Sequence, residues 1–391
     1  MLWCLKLGRK TFQKILIIVG NVISLIAGII VFFKEKKQIF IDKLIGGIMK
    51  FFYMLVVSLL VFTGCSQKPV IYYETPNELT DEQLKTKFIE TYSPYLKNIT
   101  FFIDPGHGGE DRRNKGSKGL AIEADVNVRV GRALRSFLQQ AGAKVIMSRD
   151  KDTTVALKDR SLLANKSGAD IFISIHSNAP GQEGDNSTNY TSTYYHATES
   201  DYEYEPMERD LAKYVQRDLA YAMRNSGGLG SFDGTYSDYH IYPKQGFSVL
   251  RLTTIPAILI EAGFHTSSWE EPRLASEDFN RVEAWGIFRG LCRYFKAGIP
   301  KISYKDQSFI EKTQLLNYSI LDSTSIDFKS IKVFVDSTAT QRFTFDEKQK
   351  TITVQIPKVV NEKKTIRIIA ANKNGNFSFP FYDVVTDTLS R

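Results

Sequence analysis

A chain of 391 residues is long enough for two domains with cores of their own, and 43% apolar with 24% charged residues is the composition of a folded protein. The formal net charge of +8 is concentrated at one end: residues 1–50 hold nine Lys/Arg against two acids, Glu35 and Asp42, which leaves about +1 for the remainder. That distribution removes the main support for a nucleic-acid partner, and three cysteines (Cys4, Cys65, Cys292) make no disulfide framework.

The first predicted element is the apolar run Ile15–Phe33, nineteen residues flanked by Lys14 and by Lys34, Lys36 and Lys37, long enough to span a bilayer. A second run follows in "MKFFYMLVVSLLVFTGCSQ". It starts at Met49-Lys50 and closes in small residues before Cys65, the layout of a secretory signal peptide over 49–65. The Thr63-Gly64-Cys65 junction resembles the bacterial lipobox, whose cysteine is lipidated and becomes the mature N-terminus; Phe62 departs from the usual aliphatic residue. A plain signal anchor with an incidental cysteine is the alternative. Two such segments in series have two explanations. Synthesis starts at Met49 and residues 1–48 are an extension, which is favoured, or 1–48 holds a true membrane segment.

Residues 66–98 read as a polar tether with an amphipathic stretch around Glu82–Tyr92. From 99 to 298 strands and helices alternate. "TFFID" (100–104) is a short strand. "DVNVRVGRALRSFLQQAG" (125–142) places Val126, Val130, Leu134, Phe137 and Leu138 on one helical face, with Gly142 as its stop. Strand 144–149, helix 155–168, strand 169–178, helix 208–227, strand 256–264 and helix 276–298 follow. This order predicts an α/β sheet covered by helices on both faces. The acidic, tyrosine-rich stretch 179–207 reads as exposed loop around a strand-like Tyr190–His196; it is a solvated connector or a rim that contacts substrate. After Gly298 the pattern turns all-β, and 305–388 predicts a small immunoglobulin-like β-sandwich. Within it "AANKNGNFS" resembles the late hairpin of bacterial immunoglobulin-like modules.

The chemistry-bearing residues lie at strand ends. His107 stands among Gly106, Gly108 and Gly109, which let the backbone turn sharply and a ligand approach closely. His176 follows the buried strand "IFISI", and Glu123 opens the first helix. Two histidines and a carboxylate are the ligand set of many hydrolytic zinc sites, although spacing alone is a weak signal. Glu261 interrupts the apolar "AILIEAGF". An unpaired buried charge is costly, so it is either ion-paired, with Arg251 or Arg160 as candidates, or a general base at a metal-bound water. Asp104 is a candidate for orienting the His107 imidazole and equally for capping the turn; Asn178 hydrogen-bonds near the site or holds its own loop. His265, four residues after Glu261, reaches the site rim or faces solvent, with solvent favoured. The basic loop with Arg112, Arg113, Lys115 and Lys118 is placed to meet an acidic peptide or is simply solvated.

The blocks "IDPGHGGED", "GLAIEADVN", "SRDKDTTVALKDRSLLANKSGADIFISIHSNA" and "FSVLRLTTIPAILIEAGFHTS" resemble the zinc-dependent N-acetylmuramoyl-L-alanine amidases of the cell-wall hydrolase type, over about 99–298. The resemblance implies a mixed six-stranded sheet flanked by helices and one zinc ion. It carries His107, Glu123 and His176 over as zinc ligands and Glu261 as the catalytic glutamate. It also implies hydrolysis of the amide between N-acetylmuramic acid and L-alanine in peptidoglycan, with glycan and stem peptide as partners. Many relatives carry a helix that plugs the cleft until an activator protein removes it; no such plug is identified here. The expected location is the cell envelope, lipid-anchored and periplasm-facing. Two alternatives stand beside it: a zinc peptidase acting within the stem peptide, and a non-catalytic wall-binding lipoprotein.

Overall fold

The computed structural model describes residues 2–32, 47–51, 53–54, 75–228 and 233–386. The chain divides into two units, Met1–Tyr72 and Tyr73–Arg391. In the first, Leu2–Phe32 is one helix that carries the apolar run Ile15–Phe33 to its penultimate residue, with Leu16, Ile17, Ile18, Ile23 and Leu25 exposed. Among the described residues no helix is long and apolar enough to cross a membrane. Cys65, with the lipobox junction and the first residues of the expected tether, lies outside the described residues.

Within the second unit, six strands form one sheet. They are β1 (Thr100–Pro105), β2 (Lys144–Met147), β3 (Ile171–Asn178), β4 (Thr191–Tyr195), β5 (Thr235–Ser237) and β6 (Ala257–Phe264). Their order is β2-β1-β3-β6-β4-β5. Only the β4–β6 pair is antiparallel, so the sheet is mixed, as expected. Alternation with period two divides each strand between two faces. Phe101, Ile103, Ile171, Ile173, Ile258 and Ile260 join the core made with helices Glu82–Leu96, Glu123–Gln140, Pro206–Met223 and Glu277–Lys296. Phe102, Phe172, Tyr194 and Leu259 point the other way, where Leu157–Lys166 and the short Ser248–Arg251 supply the cover. Asp104, His176 and Glu261 share the parity of this thinly covered face.

The predicted stripe Val126, Val130, Leu134, Phe137 and Leu138 is fully buried, and Gly142 takes the left-handed conformation (φ 81°) that stops the helix. The expected tether ends earlier than its composition suggests. Asp81 caps a helix Glu82–Leu96 through the N–H groups of Gln83 and Leu84, and Phe88 packs on Trp285 and Phe288. Ile89 and Leu96 of the same helix are buried, and burying a side chain of this size contributes roughly 1.5–3 kcal/mol, which fastens these residues to the α/β core. A weak amphipathic pattern in a polar stretch hid that attachment.

The all-β region begins at Lys301 rather than 305. It forms two antiparallel four-stranded sheets around one core that includes Leu316, Tyr318, Ile320, Val333, Ile352, Val354, Ile366 and Ile368. This β-sandwich is docked on the α/β domain. Asn372 and Asn376 donate to the Gly298 carbonyl that follows the last helix (3.0 and 2.9 Å), and the Phe377 N–H donates to Asp210. The "AANKNGNFS" hairpin is therefore a docking element. Arg367 donates to the carbonyls of Tyr202 (2.7 Å) and Tyr204 (2.6 Å), pairs with Glu205, and lies over the rings of Tyr202 and Tyr382. Part of the tyrosine-rich stretch is thus buried between domains rather than exposed loop.

Arg367→Ala is expected to lower stability by about 2–4 kcal/mol, from two charge-assisted hydrogen bonds and the ring contacts. Limited proteolysis should then cut near 297–300, with the wild type resistant. Glu208, fully enclosed at the start of helix Pro206–Met223, accepts from the N–H groups of Ala257 and His196. Burial pushes its carboxyl up to about 8. The folded state therefore keeps this proton while the unfolded chain loses it near 4.5, so this group's contribution is full below 4.5 and is lost between pH 4.5 and 8. Melting midpoints of Glu208→Gln should fall less with rising pH across that window than those of the wild type.

Candidate metal centre

The ends of β1 and β3 and the start of helix Glu123–Gln140 meet at one point. Glu123 is 2% exposed at the first turn of its helix, where the macrodipole favours a carboxylate. His107 Nε2 lies 3.2 Å from Glu123 Oε2, and His176 Nδ1 lies 3.0 Å from Oε1. The remaining acceptor capacity is filled by Asn114 Nδ2 on Oε2 (2.7 Å) and by the Ser177 N–H (3.2 Å) and Asn127 Nδ2 (3.4 Å) on Oε1. Burial works against ionisation of Glu123, but hydrogen bonds to His107 and His176 hold it well below the usual carboxylate range. The three side chains offer ligand atoms all within 4.8 Å of one another.

Asp111 accepts from His107 Nδ1 at 2.7 Å and so directs Nε2 toward Glu123. Burial opposes charging of His107, yet Glu123 and Asp111 raise its pKa above 6.5. The two imidazoles stand edge to face, 5.0 Å between centroids. Gly106 makes this possible: a Cβ there would lie 2.1 Å from Cε1 of His176. His107, Gly108 and Gly109 all have positive φ (59°, 117° and 61°), so the glycine-rich setting is a requirement of the turn.

Glu261 is opposite His176 in the β3–β6 register and opposite Ser192 in the β4–β6 register. Its Oε2 is buried without a hydrogen-bond partner. Burial, then the charge of Glu123, pushes its carboxyl well above the usual range. The cations proposed for it lie elsewhere. Arg160 binds Asp104, and Arg251 donates to the Gln245 carbonyl beside a cavity lined by His196, Glu203 and Glu205.

Asp104 does not orient His107. It is fully buried under the loop and accepts from Ser148, Ser174 and Arg160. Asn178 accepts from the adjacent Ala179 N–H and so braces its own turn. His265 is 3% exposed, against the solvent-facing expectation; its Nδ1 meets the Ser177 carbonyl at 2.9 Å, bracing the residue whose N–H binds Glu123. Arg112 is taken up by Asp125 and Asp152, so the basic loop is pinned to the domain. A further pin is Glu271, which accepts from the N–H groups of Lys118 and Leu120. Asp111 was open to discovery as a carboxylate four residues after a candidate ligand. Asn114 and Glu271 carry no local signal.

Two nitrogen ligands and one carboxylate, with an orphaned carboxylate oxygen beside them, fit a borderline cation such as zinc. Comparisons with known proteins identify the family. The family model described as N-acetylmuramoyl-L-alanine amidase matches residues 101–293. The chain is similar to the germination-specific N-acetylmuramoyl-L-alanine amidase of Bacillus subtilis (strain 168), at 32% identity over 51% of this chain and 81% of that one. It is also similar to YqiI of the same organism, at 33% identity over 51% of this chain and 86% of the other. The crystal structure of N-acetylmuramoyl-L-alanine amidase from Clostridium difficile 630 is 32% identical, covers 51% of this chain and 98% of its own, and has a TM-score of 0.44. On its similarity to the germination-specific amidase, with the family model matching the same region, the chain belongs to the N-acetylmuramoyl-L-alanine amidase family.

Proposed function

We propose that this peptidoglycan amidase is zinc-dependent, with His107, Glu123 and His176 as the metal ligands and Glu261 as the proton-transferring group. The observation that carries the reading is the convergence of three ligand atoms within 4.8 Å beside an unpartnered glutamate oxygen. The bond cut joins the lactyl group of N-acetylmuramic acid to L-alanine. A zinc ion bound there supplies Lewis-acid polarisation of the amide carbonyl and of the attacking water. Glu261 accepts a proton from that water as its oxygen attacks the carbonyl carbon. It then delivers the proton to the leaving nitrogen as the C–N bond breaks, which frees the L-alanine amine and leaves a lactyl carboxylate. Glu261 must enter the cycle ionised to act as the base; burial raises its affinity for the proton, which favours taking it from the water and holding it until the nitrogen leaves. Asp111 keeps the His107 tautomer, and Asn114 with Ser177 keeps Glu123 in place.

We also infer that Cys65 carries a lipid anchor that holds the enzyme at the envelope surface. This reading is supported by the signal-like run and the small residues before the cysteine. The β-sandwich is docked on the catalytic domain rather than tethered to it.

Glu261→Gln should lower kcat on purified peptidoglycan by roughly 100- to 10,000-fold while zinc content stays at wild-type level. Full activity in that variant removes the proton-transfer role. Product analysis separates the reaction from cleavage within the stem peptide, because the amidase releases intact stem peptide and peptide-free glycan.

Gly106→Ala drives a methyl group into the His176 ring and should cost about 100-fold or more in activity. Chelation of the wild type should lower its melting midpoint, since an ion bound only by the folded site stabilises that state by mass action. An unchanged midpoint and undiminished activity after rigorous metal removal would contradict the metal centre.

A further inference from the structure

The turn that presents His107 rests on two arginines. Arg149 and Arg160 are 3% and 5% exposed. Arg149 donates from Nε to the Pro105 carbonyl (2.8 Å) and from one terminal nitrogen to the carbonyls of Gly106 (2.7 Å) and Ala124 (2.8 Å). Arg160 donates to the carbonyls of Pro105 (2.8 Å) and His107 (2.9 Å), and to Asp104 (2.7 Å). Every backbone carbonyl from Pro105 to His107 is therefore held by a guanidinium. The same Arg149 also holds the residue after Glu123. Ser148 and Ser174 fix Asp104 beneath them.

This arrangement is electrostatically expensive, because two buried cations share one fully buried counter-charge. Simple filling of space would not select it. What it supplies is a planar fork of donors that fixes several acceptors relative to one another, which an ammonium cannot reproduce. The acceptors belong to the two segments that carry His107 and Glu123. Gly108 lies directly on the fork, since a Cβ there would meet the Arg149 guanidinium at 2.9 Å. The left-handed backbone at His107, which a side-chain-bearing residue adopts rarely, has the Arg160 bond to its carbonyl to hold it.

We propose that Arg149 and Arg160 are positioning residues for the metal centre: they set the separation and orientation of His107 and Glu123 by clamping the carbonyls of residues 105–107 and 124. This inference builds on the metal-ligand reading above. The two arginines act through the ligands and do not touch substrate.

The test uses the full-length protein and three charge-conserving variants, Arg149→Lys, Arg160→Lys and Arg289→Lys. Arg289 is equally buried, binds Asp218 and packs over Phe88 on the far side of the sheet, so its variant reports general destabilisation. Zinc affinity is measured by competition with a chromophoric chelator, and ligand geometry by the visible bands of the cobalt(II)-substituted protein. Arg149→Lys and Arg160→Lys should each weaken zinc binding about 10- to 100-fold and alter the cobalt spectrum. Arg289→Lys should lower the metal-free melting midpoint with zinc affinity and spectrum unchanged. Should the lysine variants fail to fold, Asp104→Asn loosens the Arg160 anchor while leaving both forks in place, and should weaken zinc binding several-fold. Wild-type affinity and spectrum in the folded site variants would overturn the proposal, as would equal weakening in Arg289→Lys. A wild-type protein that binds no zinc would instead overturn the metal-ligand reading, and the inference with it.

Discussion

The burial of the Glu123 carboxylate between two imidazoles is the constraint on which the rest of the site depends. A charge so enclosed cannot persist in a folded protein without compensation. Here the compensation comes from His107, His176, Asn114, Ser177 and the helix N-terminus together. Each partner dictates something further. His176 needs a residue without a side chain at 106. His107 needs Asp111 on its outer nitrogen and a left-handed backbone beneath it. Asn114 needs its loop pinned, which Arg112 and Glu271 accomplish from opposite ends.

The two faces of the sheet are covered unequally. Four helices close one face, whereas two shorter ones serve the other, and the parity of β1, β3 and β6 brings Asp104, His176 and Glu261 to that second face. The two carboxylates of the centre then differ by environment. Glu123, with its imidazole and amide donors, is held in the charged form. Glu261, with a bare oxygen and Glu123 for a neighbour, is pushed toward the neutral form. Opposed shifts of this kind separate a ligand from a proton carrier.

Much of the catalytic domain was legible in the sequence. The helix stripe Val126–Leu138, the buried strand Ile171–Asn178 and the glycine-flanked His107 all express local rules, namely periodicity, β-branched content and turn chemistry. The attachment of helix Glu82–Leu96 was not legible, because its few apolar residues matter only against Trp285 and Phe288. The buried course of His265, the true neighbours of Asp104 and the pairing of Arg112 with Asp125 and Asp152 were hidden for the same reason: their partners are distant in sequence or on another element. The sandwich was readable as alternating strands, but its docking through Arg367 and Asn372 was not.

The sequence by itself determined the residue types, two histidines after strands, one glutamate at a helix start and one within an apolar strand, and hence the class of chemistry. Only the tertiary structure decided which of them share a site and in which direction the ionisation of each is pushed. Spacing along a chain says nothing of distances across a parallel sheet, where β3 brings His176 beside Gly106 and Glu261 from remote positions. Burial, which sets the opposed tendencies of Glu123 and Glu261, exists only once those strands have met.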